Sequence, residues 1–207
     1  MAQIFVFSVV HNEEFMLPHF LKHYEPYAER IFIIDDHSTD KTAEIAKAHP
    51  KVTYSEYAFE GLNEDEFNLT FESMTSDIYP SEWAVCVDCD EFITGLETLD
   101  NEVAGILKPT GYTMVGRTGK LEDCHPVRDN KYDKPVVFDP ELDVRFGPGR
   151  HTVNLPTRES KLKLLHYKYP SREYYLERNS KIYPRIMDKK TAEYRIKKGL
   201  AWYDDHC

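Results

Sequence analysis

Gln3 to Val10 is a run of mainly apolar residues with Val, Ile and Phe, the pattern of a strand covered on both faces. Phe15, Leu17, Phe20, Leu21 and Tyr24 then recur at helical spacing. The same succession returns: Arg30 to Ile34 predicts a second strand, and a helix follows from about Thr39 to Ala48. Ser38 or Thr39 is its expected N-cap, and Ala43, Ile45 and Ala46 form its apolar side. Val52 to Tyr57 predicts a third strand. Phe67, Phe71, Met74 and Ile78 form one helical stripe, which Pro80 stops before a fourth strand over Trp83 to Val87.

Strands that alternate with helices imply an α/β fold with a Rossmann-type, doubly wound and mainly parallel sheet, because each helical crossover returns the chain in the same direction. Ligands of such sheets bind beyond the carboxyl ends of the strands. Those ends are polar here: His11-Asn12-Glu13, Asp35-Asp36 and Asp88-Cys89-Asp90-Glu91. The second half is less regular. Leu99, Val103, Ile106 and Leu107 predict a short helix, Tyr112 to Val115 a strand, and Lys161 to Leu165 another strand ending at His166. Between them, the prolines and glycines of Asp123 to Thr157 read as turns and short strands, suited equally to a loop that covers substrate and to plain connections.

A chain of 207 residues, 41% of them hydrophobic, fits one globular domain. Residues 1–93 read as its regular half, with the polar strand ends, and 94–207 as its less regular half, and a piece of a longer polypeptide would read alike. No run approaches the roughly 18 apolar residues of a membrane span, so the expectation is a soluble, cytoplasmic protein. The net charge of −10 disfavours nucleic acid and anionic membranes as partners. Lys and Arg become denser after Arg145, which reads as a solvated basic face or as the side for phosphate or acceptor contacts, with Arg150 and Lys168 as candidates for the latter. Cys86 and Cys89 have C-x-x-C spacing, yet positions three apart on a strand face opposite ways. They read as buried free thiols in a reducing compartment.

Asp88 and Asp90 stand two apart where a strand ends, so both carboxylates can approach one divalent cation, and hard oxygen ligands favour Mg²⁺ or Mn²⁺ over zinc. A nucleotide diphosphate entering a cleft of carboxylates would be repelled without such a cation. A metal there also stabilises charge on a departing diphosphate.

The string from Ser81 to Ile93, with Trp83 and Asp88-Cys89-Asp90-Glu91-Phe92, resembles the metal-binding segment of GT-A-fold glycosyltransferases of the family-2-like group. Val10-His11-Asn12-Glu13-Glu14 is similar to that family's "NE" turn under the nucleotide, and Ile34 to Thr42 to its "DD-x-S-x-D-x-T" element. Leu164-Leu165-His166-Tyr167 matches the late "HY" segment more loosely. The resemblance implies a GT-A-like fold and a metal-dependent hexosyltransferase that moves a sugar from a nucleotide diphosphate sugar, UDP-linked, to a hydroxyl acceptor with inversion.

By position, Asp36 would accept a hydrogen bond from uracil, Val10, Asn12 and Glu13 would lie along the base and ribose, and Asp88 and Asp90 would reach the ribose and metal. His166 would complete the metal shell, with His151 as its rival. The acidic pair that the family carries downstream points to Asp123 of Glu122-Asp123 as the base for the acceptor hydroxyl. Asp35 is left open between a turn cap and a ligand. Two alternatives stand beside the transferase. A sugar-phosphate nucleotidyltransferase ought to show an early glycine-rich loop with a basic residue, and Val10 to Phe15 has neither. A sugar-nucleotide-binding scaffold without turnover would carry the same motifs.

Overall fold

The computed structural model describes residues 2–57, 68–69 and 83–207. Strands β1 (Ile4–Val10), β2 (Ala28–Asp35), β3 (Val52–Glu56) and β4 (Trp83–Cys86) are all parallel and lie in the order β3-β2-β1-β4. Helices α1 (Leu17–Tyr24) and α2 (Thr42–Ala48) make the first two crossovers. This is the mainly parallel α/β sheet that the alternation predicts. The helix expected over 67–78 lies outside the described residues, except that Asn68 and Leu69 are helical.

The sheet continues through β5 (Glu91–Thr94), β6 (Ile106–Val115), β7 (His125–Arg128), β8 (Val137–Phe138) and β9 (Arg158–Tyr169). Beyond β4 the order is β8-β6-β9-β5, with β7 pairing β6. β8 runs antiparallel to both β4 and β6, β9 runs parallel to β6, and β5 runs antiparallel to β9.

Period-two alternation divides the core. Ile4, Val6, Val85 and Leu164 pack with Leu17, Phe20, Tyr24 and Ala46 of the two helices, whereas Phe7, Ala84 and Cys86 pack on the other side with Phe138 and Val144. Cys86 and Cys89 fall in these two different clusters, as buried free thiols, as their spacing predicts. Tyr24 also ties α1 to β5: its hydroxyl donates to the Glu91 carbonyl at 3.0 Å and accepts from the Ile93 amide at 2.9 Å.

Several expected elements differ. Helix α2 starts at Thr42 rather than Thr39, because the Ser38 hydroxyl accepts from the Asn12 amide and Thr39 donates to the Asn12 side chain. Asp40 instead accepts from the Thr42 amide at 2.9 Å. The short helix expected through Leu107 is a 3-10 turn, Leu96–Asn101, and Ile106 and Leu107 open β6. Their side chains enter the two opposite core clusters, so the same apolar residues obey strand rather than helix alternation. β9 also runs past His166 to Tyr169, so this histidine stands inside a strand.

After β9, Ser171 caps helix α3 (Arg172–Ile186), its hydroxyl accepting from the Tyr174 amide at 3.1 Å. Asp188 caps helix α4 (Lys189–His206) in the same way. Tyr175 of α3 and Tyr203 of α4 pack with Val115 and Tyr169 at the end of the β6-β9 pair. α3 thereby passes beside the carboxyl ends of the parallel strands. Among the described residues, no helix is long and apolar enough to cross a membrane.

Candidate functional site

The strand order turns back between β1 and β4, and a cleft of about 300 Å³ opens there. Val10, Glu13, Asp36, Asp88, Asp90 and His166 all line it, so six of the residues singled out from the sequence share one cavity. Asn12 lines an adjoining cavity of about 460 Å³, which shares His11, Glu13 and Arg178 with the first. Two turns beneath the cleft are built on left-handed residues, Asn12 at φ 54° and His37 at φ 51°, a conformation that concentrates at functional sites.

Each acid faces a cation from the second half of the chain. Glu13 accepts two bonds from Arg178, at 2.6 and 3.2 Å, and Arg178 also reaches Asp90 Oδ2 at 3.0 Å. Asp36 pairs with Arg185 at 2.9 Å. Asp88 pairs with Arg150 and, at 3.5 Å, with Lys134. Lys134 also bonds the buried Glu91, whose second oxygen accepts from the Asp88 amide at 3.3 Å. Glu91 therefore sets the turn that carries Asp88. Asp35 caps a turn, accepting from the Ser38 amide and the Tyr54 hydroxyl, both at 2.8 Å.

These pairings divide the carboxyls. Burial raises Glu13 more than Arg178 lowers it, and its pKa is pushed up to about 7. Burial acts on Asp88 in the same sense, but Arg150 and Lys134 overcome it and bring that carboxyl down to about 2. Asp90 is buried too, and Arg178 and His166 hold it well below the usual carboxylate range. The cleft thus places a carboxyl that titrates near neutrality beside two that stay ionised.

The donors suit a hard divalent cation in kind. Asp88 and Asp90 offer carboxylate oxygens, and the His166 Nε2 lies 3.3 Å from Asp90 Oδ2 while its Nδ1 is buried without a hydrogen-bond partner. No three His, Cys, Asp or Glu groups are arranged around a common point for a metal among the described residues, because the carboxylates point at guanidinium and ammonium groups. A cation would take the place of those partners.

Two predicted residues lie elsewhere. His151 sits beyond Tyr132, whose ring centroid is 6.3 Å from it and 4.2 Å from His166, and does not line the cleft. Asp123 lines a separate cavity with Arg117 and Cys207, where it accepts from the Thr118 hydroxyl at 2.5 Å. Nothing brings it to the acids. A 3-10 turn, Leu121–Asp123, carries it past the end of β6.

Lys134, Arg178 and Arg185 were not foreseen. Arg178 and Arg185 stand seven apart, on one face of α3, a spacing that marks a basic stripe without revealing its target. Lys134 lies in a loop with no periodicity to read.

Acids at the point where the strand order turns back, opposite a basic wall, stand where α/β sheets of this kind bind their ligands. Residues 5–117 match the family described as Glycosyl transferase family 2, and the chain belongs to that family. No curated protein matches the chain. Among solved structures, a 4-diphosphocytidyl-2C-methyl-D-erythritol synthase from Anaerococcus prevotii DSM 20548 is similar at 11% identity and TM-score 0.47, covering 86% of this chain and 95% of that one. A second structure of a synthase of that name shows 10% identity and TM-score 0.42 over 68% and 76%. A putative glucose-1-phosphate thymidylyltransferase from Bacillus anthracis, solved with sucrose, shows 11% and 0.35 over 97% and 85%.

Proposed function

We propose that the protein is a glycosyltransferase that moves a hexosyl group from a UDP-linked sugar to a hydroxyl acceptor, by direct displacement with inversion. The observation that supports this reading most is the convergence of Val10, Glu13, Asp36, Asp88, Asp90 and His166 on one cleft at the carboxyl edge of β1, β2 and β4. In this reading Asp36 accepts from the uracil, Val10 and Glu13 flank the base and ribose, and Asn12 holds the turn beneath them. Asp88, Asp90 and His166 would hold Mn²⁺ or Mg²⁺, which when bound neutralises the donor's diphosphate and the charge on the leaving group. Arg150, Lys134 and Arg178 keep Asp88 and Asp90 ionised and oriented before the donor arrives. Asp123 lines a separate cavity and has no part in this arrangement.

The test is a panel of nucleotide sugars incubated with the protein, with and without Mn²⁺, while released nucleoside diphosphate is measured. Metal-dependent release of UDP from one donor is the expected result. Pyrophosphate formation from a nucleoside triphosphate would move the assignment to a nucleotidyltransferase, and donor binding without release would leave a scaffold.

A further inference from the structure

Glu13, Asp88, Asp90 and Glu91 meet three cations around the cleft, Lys134, Arg150 and Arg178. Four carboxyl groups against three cations leave the cluster with at most one uncompensated negative charge. A bare dication entering beside them would turn that balance positive in a largely buried site, where repulsion between like charges is poorly screened. A dication that arrives with a diphosphate brings its own counter-charge and leaves the balance nearly as it was. One resident cation must still let go, because Asp88 and Asp90 are already engaged by guanidinium groups.

The three cations are not equally able to do so. Lys134 and Arg150 keep only 4% and 7% of their side chains exposed, and Lys134 is tied to Glu91 and Asp88 at once. Arg178 keeps 23% exposed and reaches Asp90 Oδ2 through Nη1, at 3.0 Å, while its Nε and Nη2 both bond Glu13. The same Asp90 oxygen faces His166 Nε2 at 3.3 Å. Glu13 and Arg178 line both the cleft and the adjoining cavity of about 460 Å³, and Glu14, Asp40 and Glu177 line that second cavity as well. A guanidinium anchored on Glu13 can therefore turn from Asp90 into the adjoining cavity and stay among carboxylates.

We propose that Arg178 is the gate of the metal seat. It fills the place of a divalent cation at Asp90, pivots on Glu13, and yields only when the metal and an anionic ligand arrive together. Arg178 is a positioning residue in this role: it couples the binding of two ligands. By linkage, the nucleotide tightens the metal by the same factor as the metal tightens the nucleotide. The inference rests on the transferase reading and names the residue that sets the order in which its site is assembled.

The test follows Mn²⁺ binding to the full protein by the loss of the free-ion paramagnetic resonance signal, with and without UDP. In the parent, UDP should tighten Mn²⁺ at least about tenfold. Arg178→Gln removes the competing charge, so Mn²⁺ alone should bind at least about fivefold more tightly than to the parent, and the effect of UDP should shrink to less than about threefold. A gain of affinity is a result that a damaged fold does not give. Arg178→Lys keeps a charge between the two acids, but one ammonium cannot serve Glu13 and Asp90 as the planar guanidinium does, and its affinity for Mn²⁺ alone should lie between the other two. Should Arg178→Gln fail to fold, the lysine protein decides. Binding of Mn²⁺ alone that is no tighter in the variants than in the parent would overturn the gate, and metal-dependent release of UDP by the parent would then leave the transferase reading standing. Tighter Mn²⁺ binding by the variants of a protein that releases UDP from no nucleotide sugar would sink the transferase reading and keep the gate.

Discussion

Glu13, Asp36, Asp88 and Asp90 all belong to the half built of alternating strands and helices, whereas Lys134, Arg150, Arg178 and Arg185, which face them, all come after Gly95. The two halves place charge by different means. Each acid sits at or just beyond a strand terminus, so sheet register fixes its position. Each cation reaches the cleft on a long side chain from a loop or from α3, and it is held there by its carboxylate partner. The acids are thus preorganised by backbone and the cations by charge. A ligand that brings its own charge, such as a nucleotide with its metal, can exchange partners in the cleft without moving the sheet.

The strongest way to break this comparison is to remove the cation that joins two acids. Arg178→Met leaves Glu13 and Asp90 facing each other in a buried site, and the expected loss is about 3–5 kcal/mol at neutral pH, measured by urea unfolding. Because Asp90 titrates well below its unfolded value, its stabilising contribution is present above about pH 4 and lost as pH falls further. Asp90→Asn should cost less, since Arg178 keeps Glu13, but it should abolish metal-dependent binding of UDP in calorimetry. A loss below about 1 kcal/mol for Arg178→Met would show that the ion pair does not couple the halves.

The middle effect separates Glu13 from the other acids. Its folded pKa of about 7 lies above the unfolded value of 4.5, so the native state holds the proton longer and stability falls as pH rises between those values. Glu13→Gln removes that dependence. At pH 8 it should be more stable than the parent by up to about 3 kcal/mol, and the gap should close by pH 4.5 in thermal unfolding. An equal gap at both pH values would mean that Arg178 holds Glu13 ionised throughout, and Glu13 would then resemble Asp90.

This division also explains what the sequence discloses. Strand ends β1, β2 and β4, and with them Glu13, Asp36, Asp88 and Asp90, follow from local alternation and turn chemistry that a short window contains. Arg178 meets Glu13 across 165 residues, Arg185 meets Asp36 across 149, and Arg150 meets Asp88 across 62, and no local pattern encodes those pairings. His166 is legible through the late "HY" segment rather than through periodicity, and β9 pairs it with Glu91, in the strand that follows the D-x-D turn. Asp123 shows the converse: position along the chain places it after D-x-D, but the turn after β6 puts it in a separate cavity with Arg117 and Cys207.

The smallest expected effect tests whether the cations only hold the acids or also bind the ligand. Arg185 keeps 34% of its side chain exposed beside Asp36, so solvent screens the pair, and Arg185→Ala should change unfolding free energy by less than about 1 kcal/mol. In the donor-binding reading, however, Arg185 competes with uracil for the Asp36 carboxylate. Its removal should therefore raise UDP affinity, by about two- to threefold, in calorimetric titration. A fall instead would make Arg185 a ligand of the nucleotide, and the basic stripe of α3 would then act in binding as well as in holding the acids.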